Sequence, residues 1–258
     1  VGIWQQHFGI GIVDTPSDLG VNGGRPSHPE LLDWLASEFV ERGWSVKAMH
    51  RLIVLSATYR SSSSTEVGHE GRAPASFDVE NRLLWHFPTR RLEGEVVNDS
   101  MLSMSGSLNG QMGGPSFAPF TVTRLNTYFY HLFDKDDPTF NRRSIYRFHV
   151  ITARSPLLDA LDCPSPAVAS PRRRPTTTPV QALALMNDPF VKRQADTLAQ
   201  RIMADQAVGD PVDAAFRMVL SRPPRPDELR ACGQVFRDHG LGTVCWSLFN
   251  SSEFLYLP

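Results

Sequence analysis

What this chain has little of narrows its reading first. Its three cysteines, Cys163, Cys232 and Cys245, stand in no CxxC, CxxCH or other metal-ligating spacing, so neither a zinc site nor covalently attached haem is expected within these residues. Cys232 and Cys245 leave two readings open, a disulfide formed in an oxidising compartment or buried free thiols. No apolar run reaches the length that crosses a bilayer, and no secretory signal pattern is present. Neither sign of charge is in excess, with 26 Lys and Arg against 27 Asp and Glu, which argues against a nucleic-acid-binding surface over the whole molecule. The GxSxG, HExxH, Walker and GxGxxG patterns are all missing, and the serine-hydrolase, zincin, P-loop and dinucleotide readings lose support with them. There is no solenoid period and no heptad array.

What is present is helix punctuation. Thr178, Pro179 and Gln181 predict a capping box with proline at the first helical position. Asp188 before Pro189 and Asp210 before Pro211 repeat the cap-and-proline start. Val180, Leu183, Leu185 and Met186 make the first of these helices nearly all apolar, and burial is expected of it. Upstream, Ser27 with Glu30 predicts another capping box, followed by a buried stripe of Leu31, Trp34, Leu35 and Phe39. Ser45 caps the next helix, Asp78 a short one through Trp85, and Arg90 to Met104 reads as a longer one. Further helices are expected over Asp227–His239 and Thr243–Asn250.

Between residues 112 and 150 the text changes to prolines, glycines and β-favouring runs, with strands expected at Phe120–Leu125 and Ser144–Val150. The expected fold is mainly α, a multi-helix globular domain with a small β-hairpin or short-strand appendage around residues 117–150. The whole span 1–258 reads as a single mainly helical domain, with a flexible loop at 61–76, a short-strand insert at 112–150 and a helical C-terminal part from 176 to 258. Because the chain opens at Val1, it is read as a fragment of a longer one.

Charge is uneven locally. From Arg142 to Arg174 there are seven arginines and two acids, Asp159 and Asp162. Arg172, Arg173 and Arg174 lie between prolines that hold the backbone extended, just ahead of the positive end of the Pro179 helix, where Thr176 and Thr177 add hydroxyl donors. Arg142, Arg143 and Arg147 extend this face. These eight residues are the candidate ligand-binding set, for an anion such as an acidic or sulfated polysaccharide. The competing reading has the arginines bonded to carboxylates or carbonyls of the fold. For catalysis, Asp18, His28 and Glu30 form the best acid/base group of the N-terminal half, and Glu93 with Asp99 a carboxylate pair. A scaffold that docks a partner is the third reading, and an exposed apolar patch would favour it.

The segments TPSDLGVNGGRPSHPELLDWLASEF, LIVLSATYR, NRLLWHFPTRRLEGE, MGGPS, RRSIYRF, TTTPVQALALMNDPFV, RPPRPDEL and NSSEFLYL together resemble the planctomycete-type domain of unknown function 1553, in that order and over nearly the whole chain. The chain departs from the family pattern at Gly2 and Ile3, where an asparagine and an arginine usually precede the tryptophan. The resemblance implies a C-terminal module of a large extracytoplasmic protein, periplasmic or at the cell surface, with no cofactor of its own. Haem c would belong to a part that precedes it, and a haem-bearing domain of the same chain would be one partner.

Overall fold

The computed structural model describes residues 1–65, 78–135, 137–165, 167–173 and 176–257. The chain is mainly helical, with eleven α-helices among the described residues. Within the span read as one domain, backbone contacts gather into two compact units, Val1–Arg90 and Arg91–Leu257. Most of the loop expected at 61–76 lies outside the described residues.

The first unit holds α1 (Gly2–Phe8), α2 (Pro29–Glu41) and α3 (Val46–Val54). Its small core joins Phe8, Ile53 and Phe87, with Ile3, Trp4, Tyr59 and Leu84 packed around them. Ser45 caps α3 as expected, accepting from Ala48 N–H, and Met49 and Ile53 turn inward. The cap of α2 corrects the sequence reading. Ser27 is tied to the Ile12 carbonyl by its N–H (2.8 Å) and its hydroxyl (3.3 Å), so His28 takes the cap position ahead of Pro29 without a side-chain cap bond. No residue of α2 is fully buried: of its expected inward stripe Leu31, Leu35 and Phe39 are half-buried and Trp34 is exposed. The helix expected from Asp78 to Trp85 is a chain of turns instead. Asn81 and Leu84 adopt left-handed φ values of 53° and 54°, which no right-handed helix accommodates, while the buried Asp78 carboxylate accepts from Arg82 and Leu83 N–H.

The second unit contains α4 (Gly94–Ser105), α5 (Pro156–Ala160), α6 (Pro179–Asn187), α7 (Pro189–Ala204), α8 (Pro211–Leu220), α9 (Pro226–His239), α10 (Leu241–Phe249) and α11 (Ser252–Leu255). Its core is centred on α7 and α10: Val191, Ala195, Leu198 and Ile202 meet Leu241, Val244, Cys245 and Phe249, all nearly inaccessible to solvent. A buried polar link crosses from α4 to α7, where Ser105 Oγ donates to Gln194 Oε1 at 2.7 Å. The proline-started helices form as read. Thr178 and Gln181 make the reciprocal capping box, and Asp188 and Asp210 accept from the first amides of α7 and α8. Arg222 clamps Glu228 and Glu253 (2.6–2.8 Å), tying the entry of α9 to α11. At the end of this unit Leu92 N–H donates to the Leu255 carbonyl, beside the two-residue strand Tyr256–Leu257.

Two expectations fail here. Burial of α6 is partial: Gln181 and Leu185 face inward, whereas Val180, Leu183 and Met186 are 65%, 58% and 47% exposed. A single i, i+4 stripe meets the neighbouring helices and the other apolar residues fall outside it. The strand expected at Ser144–Val150 begins as a 3-10 turn, Ser144–Tyr146, because Asp99 accepts from both the N–H and the hydroxyl of Ser144 (2.8 and 2.7 Å) and holds the backbone out of a ladder. The antiparallel hairpin instead pairs Phe120–Arg124 with Tyr128–Leu132. Isolated β-bridges pair Asn109 with Arg142 and Phe117 with Arg147. Cys163, Cys232 and Cys245 are all free thiols, Cys163 and Cys245 buried and Cys232 half-buried.

Candidate functional site

The threonine run ahead of α6 is fastened to one carboxylate. Asp162, itself at a left-handed φ of 64°, accepts from Thr176 N–H (2.6 Å), the Thr176 hydroxyl (2.9 Å) and Gln181 Nε2 (2.9 Å). Arg91 adds an ion pair to Asp162 at 3.3 Å and a hydrogen bond to the Thr176 carbonyl. Thr177 Oγ1 lies 2.6 Å from the Tyr256 hydroxyl. Thr176 and Thr177 are therefore engaged within the fold, by a hub that the sequence registered only as one of two acids in a basic stretch.

The arginines are dispersed. The Arg142 guanidinium is buried against the Tyr146 ring, 4.1 Å from its centroid, and donates to the carbonyls of Pro115 and Gly113 (both 2.6 Å) and Gln111 (3.3 Å). Arg143 stands 3.7 Å from Asp99 and is half exposed. Arg173 pairs with Glu95 at 2.6 Å and Glu93 at 3.3 Å, so its charge is neutralised. Arg172 is exposed, and Arg174 lies outside the described residues.

Arg173 borders a surface cleft of about 470 Å³ with Glu95, His149 and Cys163. Burial, reinforced by Glu95, pushes the Cys163 thiol up to about 12. It is a neutral thiol at physiological pH and a poor nucleophile. Burial, the largest single effect, would raise the Glu95 carboxyl, but the Arg173 hydrogen bond and charge, together with its other hydrogen bonds, outweigh it and hold the group below its ordinary value.

A second cleft in the same unit, about 300 Å³, differs in kind. Arg147 lines it together with Asn98, Phe117, Phe133, Phe140 and Phe190. Phe133 and Phe140 meet edge to face at 5.2 Å, Phe117 and Phe140 at 6.3 Å, and the Lys135 ammonium sits 4.4 Å above the Phe133 ring. Arg193 on the rim holds Asp134 through two bonds of 2.7 and 2.8 Å. Among the described residues no ion pair or side-chain hydrogen bond engages the Arg147 guanidinium. Burial lowers its affinity for a proton, opposed in part by the charges of Cys163 and Asp159. A desolvated cation facing an aromatic-walled cleft gains from a bound anion, because each charge-assisted bond to guanidinium forms where water competes poorly. These residues come from stretches scattered between Asn98 and Arg193, and the phenylalanines carried no sequence signal beyond apolarity.

Among the described residues no hydrogen bond or ion pair joins one acid/base candidate to another. Asp18 accepts from Gly20 N–H in its own turn, His28 Nδ1 bonds Ser27 Oγ at 2.9 Å, and Glu30 is exposed in the first turn of α2. Glu93 belongs to the second unit, against Arg173. Asp99 is occupied by Ser144 and Arg143. Among the described residues no cluster of His, Cys, Asp and Glu has metal-holding geometry, and no helix is long and apolar enough to cross a membrane.

No curated protein and no solved structure matches the chain. The family described as "Protein of unknown function (DUF1553)" matches residues 2–236, nearly the full length. The chain belongs to this family.

Proposed function

We propose that the chain is a binding module for an anionic ligand, an acidic or sulfated polysaccharide segment, taken up in the cleft that Arg147 lines. The observation that carries the reading is the Arg147 guanidinium, partly desolvated and without an ion-pair partner among the described residues. The phenylalanine walls support a sugar in particular, since ring faces and edges pack against its C–H groups while the cation takes its carboxylate or sulfate. Of the arginine-rich face, Arg142 and Arg173 are spent on the fold and serve to shape it.

The test is calorimetric titration of the chain with sulfated and uronate-containing oligosaccharides, with a neutral cello-oligosaccharide as control. Binding of the charged probes alone is expected, weakening as salt is raised. Arg147→Gln should reduce affinity by about 10-fold or more, the worth of one charge-assisted bond, while Arg172→Ala leaves it unchanged. Equal binding by Arg147→Gln and the parent chain would remove the proposal. The scaffold reading, in which the chain docks a haem-bearing domain or a partner protein, draws on a separate observation, the apolar face of α2 and α3 in the first unit.

A further inference from the structure

The first unit leaves a long amphipathic helix uncovered. None of the thirteen residues of α2 is buried, and Trp34 is 48% exposed. Its Leu31, Trp34 and Leu35, at i, i+3 and i+4, share one face and wall an apolar groove of about 480 Å³ with Leu52 and Leu55 of the α3 segment. Leu55 is 58% exposed. An open apolar groove this size, built from large side chains, is what an interaction surface looks like before its partner is in place.

The charges around it say what that partner carries. The charged residues lining the groove are Arg42 and Arg51. Arg42 is partly satisfied by Glu38, one turn back, at 2.7 Å, whereas Arg51 has no ion pair among the described residues. The occupant must therefore bring apolar side chains flanked by carboxylates. α2 itself is such an element. At 100° per residue, Glu30 and Glu41 border the Trp34 side of its apolar stripe, and neither holds an ion pair among the described residues. α2 is itself one wall of the groove, so the face carries both the apolar residues and the charges of each sign, which is the condition for an isologous pairing in which each contact occurs twice.

We propose that this face seats a second copy of the chain, with each α2 lying in the other's groove across a two-fold axis and its acidic border, Glu30 and Glu41, lying against the groove's Arg42 and Arg51. Sedimentation velocity of the full chain over a concentration series tests it. A monomer–dimer equilibrium that weakens with added salt is expected. Trp34→Glu, at a half-exposed position where the fold is retained by circular dichroism, should leave a monomer. Arg51→Glu should weaken the dimer about 10-fold or more through like-charge contact, and combining it with Glu30→Arg and Glu41→Arg should restore association. A monomer at every concentration, a dimer indifferent to Trp34→Glu, or one that Arg51→Glu leaves intact overturns the proposal.

Discussion

At the scale of single residues, Asp162 carries more of the second unit than any acid the sequence singled out. It gathers Arg91, both polar groups of Thr176 and the Gln181 amide, from a backbone position at φ 64° that asparagine and aspartate tolerate far better than other side chains. Asp162→Ala should cost about 3 kcal/mol, combining stranded donors with a strained alanine. Asp162→Asn, which keeps an acceptor and the backbone preference, should cost about 1 kcal/mol. Urea unfolding of the two variants checks the difference. Gly94 makes a second residue-scale case: a Cβ there would stand 2.8 Å from Leu161 Cβ and 3.2 Å from the Leu161 carbonyl oxygen. Gly94→Ala should therefore destabilise by about 1–3 kcal/mol through overpacking, even though alanine is the better helix former. Neither effect was legible beforehand, since both depend on which distant segment the fold brings alongside.

At the scale of elements the sequence spoke clearly wherever the signal was local. The starts of α6, α7 and α8 were read from a cap residue with a proline directly after it, and the helices begin where that reading puts them. Thr178→Ala should cost about 1 kcal/mol by removing the acceptor for Gln181 N–H. The Asp188 cap is less simple, because burial and nearby Asp134 push its carboxyl above the ordinary value despite the Phe190 hydrogen bond. Asp188→Asn, which keeps the acceptor and sheds the charge, should be neutral or slightly stabilising, and Asp188→Ala should lose about 1 kcal/mol. Thermal melts of the pair separate cap from charge. Reading failed where a longer-range bond outweighed local preference: Ile12 draws Ser27 out of the cap of α2, and Asp99 turns Ser144 away from a strand.

Over the whole molecule, the two units should respond to acid in different ranges. In the first, His7 Nε2 lies 2.7 Å from His50 Nδ1. Burial, then the neighbouring His50 and Arg90, lower the His7 pKa from its ordinary 6.5. A histidine depressed in the folded state contributes fully above 6.5. As pH falls below that value the unfolded chain takes up the proton first, so stability declines until the folded-state pKa is passed. In the second unit Glu95 and Glu253 are held below their ordinary 4.5 by Arg173 and Arg222, so their contribution persists to lower pH and is lost as pH falls below 4.5. Four of the five tryptophans, Trp4, Trp34, Trp44 and Trp85, lie in the first unit. Tryptophan fluorescence melts should therefore shift between pH 7 and 5.5 while far-UV circular dichroism, dominated by the second unit's helices, shifts mainly below 4.5. His7→Gln should flatten the first change, and an unaltered profile in that variant would show that His7 is not its source.

The amino-acid sequence by itself determined that the chain is mainly helical, where its proline-started helices begin, and that it belongs with a family of the same motif order, because caps, prolines and apolar spacing act over a few residues. The tertiary structure decided which arginine faces a cleft. Seven arginines between 142 and 174 are chemically alike in the sequence, yet carbonyls take up Arg142, glutamates take up Arg173, and Arg147 is left facing phenylalanines. A guanidinium's role depends on the partners that folding delivers from far along the chain, and no local pattern encodes them.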